Sequence, residues 1–182
     1  MRRADGASII RPGRTGQVRP RWRYAPVAVI THAALRFATF ADAPGIAALS
    51  REAIEHGLPW SWRPARVEQA IRDPRTNVVV VDGPAAIAAF GIMSYLDEDA
   101  HLLLFAVRAA QRRRGIGSAV LAWLEEVARA AGATCIRVEA RRENVAARSF
   151  YNEHGYHERA IARGMYSGLV DGVRLEKWLR VD

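Results

Sequence analysis

The chain has 182 residues, half of them hydrophobic, and a formal net charge of +8 at pH 7. This length is sufficient for one domain with a substantial core, and no apolar run is long enough to cross a membrane as a helix. The single cysteine, Cys135, excludes an intrachain disulfide. No cluster of cysteines and histidines has the spacing of metal ligands. We therefore expect a cytoplasmic protein without a membrane span or a metal site.

The positive charge is concentrated near the N-terminus. Residues 1–33 contain seven arginines and one acid, Asp5, so they carry +6 of the net charge of +8. Glycines and prolines without a clear period accompany the arginines, which predicts a flexible basic arm followed by a folded domain at residues 34–182. The composition of the arm suits electrostatic contact with nucleic acid or anionic surfaces, and it is equally compatible with a passive tail. The domain has no stripe of basic and aromatic residues, so nucleic acid is not expected as a partner outside the arm.

Hydrophobic periodicity predicts a mixed α/β domain whose front half is antiparallel. Residues 34–40 predict a strand, residues 42–56 a helix, and residues 57–64 a loop. A glycine inside the third strand, Gly91, indicates a bulge or a close approach of another backbone. The remaining predicted elements are a short helix at residues 67–72, strands at 77–82, 85–95 and 101–107, a helix at 116–131, a strand at 134–140, a helix at 145–154, and strands at 156–164 and 173–179.

The most informative segment is the turn between the predicted strand at 101–107 and the helix that follows. Its sequence is Q-R-R-R-G-I-G-S, residues 111–118. A strand, a glycine turn and a helix N-terminus direct unpaired backbone N–H groups at one point, which attracts phosphate. Gly115 and Gly117 let a ligand approach the backbone closely. The segment lacks the lysine of a Walker loop and the third glycine of a dinucleotide fingerprint.

A second motif surrounds the predicted helix at 145–154. It begins at Asn144, ends at Tyr156, and has the pattern N-x-x-A-x-x-F-Y-x-x-x-G-Y. Asn144 is suited to cap the helix N-terminus, since its side chain can accept from free backbone N–H groups. Gly155 is suited to the left-handed residue just beyond the helix end.

Together, these two motifs resemble those of the GCN5-related N-acetyltransferase (GNAT) superfamily. The first matches R-x-x-G-x-G at Arg112, Gly115 and Gly117, and the second follows it in the order that the family has. The resemblance covers roughly residues 35–179 and is strongest over residues 102–156. Two motifs in the correct order, joined by a helix and a strand, are much more specific than either alone.

The resemblance implies a mixed, mostly antiparallel sheet, flanked by helices and splayed between its fourth and fifth strands. Acetyl-coenzyme A (acetyl-CoA) is the implied co-substrate, and it enters the gap between those strands. The implied reaction moves the acetyl group from the thioester to a primary amine by direct attack in a ternary complex. The residues implied to bind the cofactor are the backbone at Phe105 and Val107, the loop residues Arg112, Arg113, Arg114, Gly115, Ile116, Gly117 and Ser118, and the cap Asn144.

The resemblance also suggests residues for proton transfer. Tyr151 occupies a position where the family often has a tyrosine near the coenzyme sulfur, so it is the candidate general acid. Some members have a glutamate at the start of the fourth strand, where this chain has Glu98 and Asp99, although a solvated acidic turn explains these residues equally well. Glu139 on the neighbouring strand and a water chain to solvent are the alternatives for the base. His154, like the other histidines near the two motifs, has no recognisable partner pattern.

The acceptor is expected to lie over the loop at residues 57–64. Trp60 and Trp62 either form an apolar wall for the substrate or anchor that loop to the core. The acceptor itself, a small-molecule or peptide amine, stays open, and so does the oligomeric state. Two other functions are compatible with the sequence: a non-catalytic acyl-CoA-binding module of the same fold, and a nucleic-acid-associated protein that binds through its arm. The presence of Asn144 and Tyr151 favours catalysis.

Overall fold

The structure, a computed structural model, describes residues 35–179. The predicted basic arm, residues 1–33, lies outside that range. In the described range one sheet is flanked by helices, and no helix is both long and apolar enough to span a bilayer. The elements are β1 (Leu35–Phe37), α1 (Ala43–Ala53), α2 (Pro64–Arg72), β2 (Thr76–Asp82), β3 (Ile87–Tyr95), β4 (Asp99–Val107), α3 (Ile116–Ala130), β5 (Cys135–Arg141), α4 (Val145–Glu153), β6 (His157–Tyr166) and β7 (Val170–Trp178).

The strand order confirms the predicted fold class. The order is β1-β2-β3-β4-β5-β7-β6, and every neighbouring pair is antiparallel except β4 and β5, which are parallel. The predicted elements are all present in the predicted order, with shifted ends. The first strand stops at Phe37 because Phe40–Asp42 forms a 3₁₀ turn. Helix α2 starts at Pro64, earlier than predicted, because proline is well suited to the first helical position.

Strands β4 and β5 separate halfway along their length. Their ladder runs from Asp99 opposite Cys135 to Leu102 opposite Val138 and ends there. Beyond that point β4 stays paired with β3 as far as Val107, and β5 stays paired with β7 as far as Arg141. The predicted splay between the fourth and fifth strands is therefore confirmed.

A bulge in β4 coincides with the start of this separation. Met93 on β3 pairs with Leu102, whereas the preceding residue, Ile92, pairs with Leu104, so Leu103 is the extra residue. The bulge exchanges the faces of β4. Leu102 belongs to the core cluster that includes α3 and α4, whereas Leu104 belongs to the cluster that includes α1 and α2. As a consequence, Phe105 packs on the α3 side of the sheet.

At Gly91, helix α3 approaches the sheet closely. The bulge at Leu103 lies instead on the neighbouring strand, β4. A Cβ atom added at Gly91 would lie 2.6 Å from Leu124 Cδ1 and 3.4 Å from Val120 Cγ1, both on α3. Leu124 and Val120 are fully buried, so neither can move aside without displacing other core atoms. The glycine therefore sets how closely α3 packs on the sheet.

We expect Gly91→Val to destabilise the fold by about 1–3 kcal/mol, because it overpacks the contact between β3 and α3. Urea unfolding measures the change. The control is Ala160→Val, which adds side-chain volume at an exposed strand position and should change the free energy of unfolding by no more than about 0.5 kcal/mol. Equal stabilities for the two variants would contradict this account of Gly91.

Candidate active site

The gap between β4 and β5 opens into a cavity of about 970 Å³. The turn before α3 and the helix α4 form one side of it, and the loop between α1 and α2 forms the other. We call these the α4 side and the loop side. A cavity of this size can accept an extended ligand together with a second, smaller one.

The free edge of β4 faces this cavity. The Arg108 N–H donates to the Ala88 carbonyl of β3 at 2.8 Å, and alternate residues of an antiparallel strand pair with the same neighbour. The N–H groups of Phe105 and Val107 therefore point away from β3, into the gap. Among the described residues β5 provides no ladder partner for them. An extended amide ligand can add to this edge as a further strand.

The glycine turn joins this strand edge to the N-terminus of α3. Gly115 is the residue immediately before the helix and has a left-handed φ of 78°, which glycine adopts without strain. Arg113 also has a positive φ, 60°. A Cβ atom at Gly117 would lie 3.3 Å from Val107 Cγ2 and 3.4 Å from Phe150 Cε2, so this glycine lets α3, β4 and α4 converge. The first backbone N–H groups of α3 are thereby directed at the cavity.

The arginines around the turn have different contacts. Arg112 Nε donates to the Val107 carbonyl at 3.0 Å, which ties the turn to the end of β4. Arg114 donates to Gln111 Oε1 at 2.6 Å and does not line the cavity. Arg113 lines the cavity and has no salt bridge within residues 35–179. Arg108 Nε donates to the Ile87 carbonyl at 3.1 Å, and its guanidinium pairs with Glu52.

Helix α4 begins and ends as its motif predicts. The Asn144 side chain accepts from the Ala147 N–H at 3.1 Å, and Gly155 has a left-handed φ of 82°. Phe150 stacks on Phe105 of β4 with their ring centroids 5.6 Å apart, which holds the helix against the free strand edge. Asn144 lines the cavity together with the aromatic face of the helix.

Tyr151 lies on that face, lines the cavity and is only 5 % exposed. Within the described part of the chain its hydroxyl has no hydrogen-bond partner. Burial, and to a smaller extent the nearby Tyr166, raises the pKa of the Tyr151 phenol well above its ordinary range. The phenol is therefore protonated at neutral pH and available as a donor.

On the loop side, a buried carboxylate organises the segment between α1 and α2. Glu55 is 5 % exposed, and Glu55 Oε1 accepts from the Ser61 N–H at 2.7 Å, the Ser61 hydroxyl at 2.6 Å and the Trp62 N–H at 3.2 Å. Its other oxygen accepts from Ser50 at 3.2 Å. The role of Glu55 could not be recognised from the sequence, because a glutamate at the end of a predicted helix normally indicates a solvated position.

Arg141 connects this loop to β5. Its guanidinium donates to the carbonyls of Ile54 and His56, each at 2.6 Å, and its side chain is 17 % exposed. These carbonyls lie at and beyond the C-terminal end of α1, where unsatisfied carbonyl groups attract a cation. Arg141 thus bridges the gap on the loop side and holds its two walls at a fixed separation.

The titratable side chains that line the cavity include Glu139, His101 and Tyr166. Glu139 of β5 lines it and accepts from Arg174 Nε at 3.2 Å. His101 of β4 also lines it, and burial lowers the pKa of His101 below its ordinary value, while Glu139 opposes that effect. Burial raises the pKa of Tyr166 to about 12. Of these three side chains, Glu139 is the one with a carboxylate.

The structure does not bring all the candidate residues to the cavity. Glu98 and Asp99 lie at the start of β4, where this strand still pairs with β5, and neither residue lines the cavity. Asp99 forms a salt bridge with Arg137. Trp62 lines the cavity, with the Arg66 guanidinium 4.2 Å from its ring centroid. Trp60 does not line it; its indole N–H donates to the Trp62 carbonyl at 3.1 Å.

Sequence comparison identifies the family. Residues 45–156 match the acetyltransferase (GNAT) family. The [ribosomal protein bS18]-alanine N-acetyltransferase of Salmonella typhimurium is 30% identical over 111 residues, which is 61% of this chain and 73% of the relative. The enzyme of the same name from Escherichia coli K12 has the same identity and coverage.

Solved structures share the fold. The ribosomal-protein-S18-alanine N-acetyltransferase of Escherichia coli superposes with a TM-score of 0.71 at 24% identity, over 82% of this chain and 96% of that one. The PaiA N-acetyltransferase of Thermoplasma acidophilum, solved in complex with coenzyme A, gives a TM-score of 0.70 at 15% identity, over 82% of this chain and all of that one.

The divided sheet, the glycine turn and the cavity between them define the fold of an acyl-coenzyme A-dependent transferase. The chain belongs to the acetyltransferase (GNAT) family, and it is an N-acetyltransferase enzyme. The co-substrate expected from the sequence, acetyl-CoA, is the one bound in solved structures of this fold. Within residues 35–179, no group of three potential ligand side chains is placed to hold a metal ion.

We expect Glu55→Gln to loosen the loop side of the cavity, because the new amide presents N–H donors to groups that already donate. The free energy of unfolding should fall by about 1–3 kcal/mol, and the Ser61 and Trp62 amides should exchange hydrogen faster. Glu52→Gln changes an exposed position in the last turn of α1; it is the matched control and should leave both quantities unchanged. Unaltered exchange at Ser61 and Trp62 in the Glu55 variant would show that the carboxylate does not hold the loop.

Proposed function

We propose that this chain transfers the acetyl group of acetyl-CoA to a primary amine by direct attack in a ternary complex. The observation that carries the proposal is the unpaired edge of β4, which leads directly to the glycine turn and the N-terminus of α3. An extended amide chain with a pyrophosphate at one end matches this surface in shape and in hydrogen bonding. The amides add to the strand edge, and the pyrophosphate meets the helix N-terminus.

Each part of the α4 side has a role in holding the co-substrate. The N–H groups of Gly115, Gly117 and Ser118 donate to the pyrophosphate, and Arg113 contributes positive charge beside it. Phe105 offers its backbone to the pantetheine amides, and Phe150 offers its ring as an apolar wall. The support for this assignment is that these residues line one continuous surface.

The proposed reaction needs a base, an oxyanion donor and an acid. Glu139 accepts a proton from the ammonium form of the acceptor and releases it to solvent, and the amine nitrogen then attacks the thioester carbonyl carbon. The Val107 N–H donates to the oxyanion that develops. When the carbon–sulfur bond breaks, the nitrogen loses its second proton to water, and Tyr151 donates to the departing thiolate and regains from solvent any proton that it gives up. Glu139 is favoured over Asp99 and Glu98 because it lines the cavity and they do not.

The loop side is the proposed acceptor site. Trp62 gives an apolar wall, and Glu139 supplies the negative charge that a protonated amine seeks. The relatives that acetylate an alanine of a ribosomal protein support a peptide α-amine as one acceptor class. The discriminating experiment measures thiol release from acetyl-CoA across a panel of peptide α-amines, polyamines and aminoglycosides. A non-catalytic acyl-CoA-binding module would bind acetyl-CoA and release no thiol with any amine.

Acetyl-CoA should raise the melting temperature, because it binds the folded state alone. Arg113→Asn removes the charge beside the pyrophosphate while keeping a residue that tolerates a positive φ, and we expect affinity to fall about tenfold. Arg163→Asn makes the same change at an exposed position on β6, outside the cavity lining, and should leave affinity unchanged. Absence of any thermal shift in the unaltered protein would refute the proposed co-substrate site.

Two variants test the proposed proton transfers. Tyr151→Phe keeps the buried ring and removes the hydroxyl, so kcat should fall by about 10²-fold or more with nearly unchanged acetyl-CoA affinity. Glu139→Gln should lower kcat by a similar factor. Asp99→Asn, which removes the other candidate base, is the comparison variant. If that variant, and not Glu139→Gln, loses turnover, the base is Asp99.

A further inference from the structure

A histidine at the end of α4 contacts the turn proposed to bind pyrophosphate. His154 follows the last residue of α4, and its Nε2 atom lies 2.9 Å from the hydroxyl oxygen of Ser118, the third residue of α3. Its Nδ1 atom lies 2.7 Å from the Phe150 carbonyl oxygen. The ring also packs on Phe150, with the centroids 4.3 Å apart. His154 and Ser118 both line the cavity.

These contacts determine which nitrogen carries hydrogen. A carbonyl oxygen can only accept, so Nδ1 must donate to Phe150. In a neutral imidazole Nε2 then has no hydrogen and accepts from the Ser118 hydroxyl. The hydroxyl hydrogen is thereby engaged by His154, and the lone pairs of Ser118 Oγ face the position proposed for the pyrophosphate. Lone pairs repel the oxygens of an anion.

Protonation of the ring reverses this hydrogen bond. In the imidazolium form Nε2 donates to Ser118 Oγ, so the hydroxyl hydrogen is free to donate to a bound phosphate. The ring also places a positive charge within one hydrogen bond of the anion. Both changes favour the anion, so binding of the pyrophosphate and protonation of His154 favour each other.

The surroundings of His154 contain opposing charges. The ring lies between the C-terminal end of α4 and the N-terminal end of α3. The charged side chains that share this part of the cavity wall are Arg112 and Arg113 on the turn and Glu153 on α4. A bound pyrophosphate offsets the positive charge of the turn and thereby shifts the balance towards the imidazolium.

We propose that His154 is a positioning residue of the phosphate-binding turn, which acts through Ser118 and takes up a proton when the pyrophosphate binds. The affinity for coenzyme A is then greatest at low pH and falls as the pH rises. This inference rests on the proposed function, since it requires the pyrophosphate to bind at the N-terminus of α3. The sequence could not reveal it, because the two side chains are 36 residues apart and belong to different motifs.

The test uses 3′-dephospho-coenzyme A, whose pyrophosphate does not titrate in the range where histidine does. Calorimetry between about pH 5.5 and about pH 8 gives the affinity. Repeating it in two buffers of different ionisation enthalpy gives the number of protons taken up. We expect affinity in the unaltered protein to fall by roughly five- to tenfold across this range, with net proton uptake on binding. His154→Gln retains a polar group near Ser118 but cannot titrate, so its affinity should vary less than about twofold.

Two further variants separate this mechanism from simpler ones. Ser118→Ala keeps His154 and removes the hydroxyl that links it to the anion, so the pH dependence should become clearly weaker, and only the part due to the charge of the ring should remain. His157→Gln removes an exposed histidine outside the cavity lining and should keep the original profile. A pH-independent affinity in the unaltered protein, or an unchanged profile in His154→Gln or Ser118→Ala, would overturn the inference alone. Failure of the probe to bind at any pH would overturn the proposed co-substrate site as well.

Discussion

The separation of β4 from β5 beyond Leu102 is the constraint on which the rest of this structure depends. Each strand keeps a complete ladder on its outer side, β4 with β3 and β5 with β7, so the sheet remains intact while the two inner edges lose their partners. Unpaired backbone groups are unfavourable unless water or a ligand satisfies them. The fold holds the edges apart from both sides, with Phe150 stacked on Phe105 at one wall and Arg141 tied to the end of α1 at the other. The gap is thus a consequence of how the protein's own side chains pack.

The bulge at Leu103 gives this gap two chemically different walls. If β4 paired with β3 without a bulge, strand alternation from Leu102 would place Phe105 and Val107 on the face of α1 and α2. With it, they lie on the face of α3 and α4 and meet the glycine turn, where Gly117 permits close contact. The polar groups of β5, Glu139 among them, remain on the loop side. The bulge therefore separates the surface proposed for acetyl-CoA from the surface proposed for the acceptor amine.

The features that the sequence predicted well are those encoded locally. The glycine turn, the Asn144 cap and the left-handed Gly155 each depend on neighbours within a few residues, and each is present in the structure. The features it missed depend on distant partners. Glu55 has its role because a loop folds back onto it, and Arg141 because β5 lies beside the end of α1. Trp60 and Trp62 were also beyond local prediction, because no local rule distinguishes Trp62, which lines the cavity, from Trp60, which does not.

The burial of Tyr151 bears on how the proposed reaction could end. Burial raises the pKa of its phenol, which by itself makes complete proton transfer to a thiolate less favourable. The thiolate, however, would form in the same apolar pocket, and desolvation disfavours that anion too. Whether the proton stays on Tyr151 or moves to the sulfur then depends on the difference between the desolvation costs of the phenolate and of the thiolate. Because the Tyr151 hydroxyl has no hydrogen-bond partner among the described residues, it can donate to the sulfur as soon as negative charge develops there. In this proposal Tyr151 stabilises the transition state as a hydrogen-bond donor, whether or not the proton has crossed when the carbon–sulfur bond breaks.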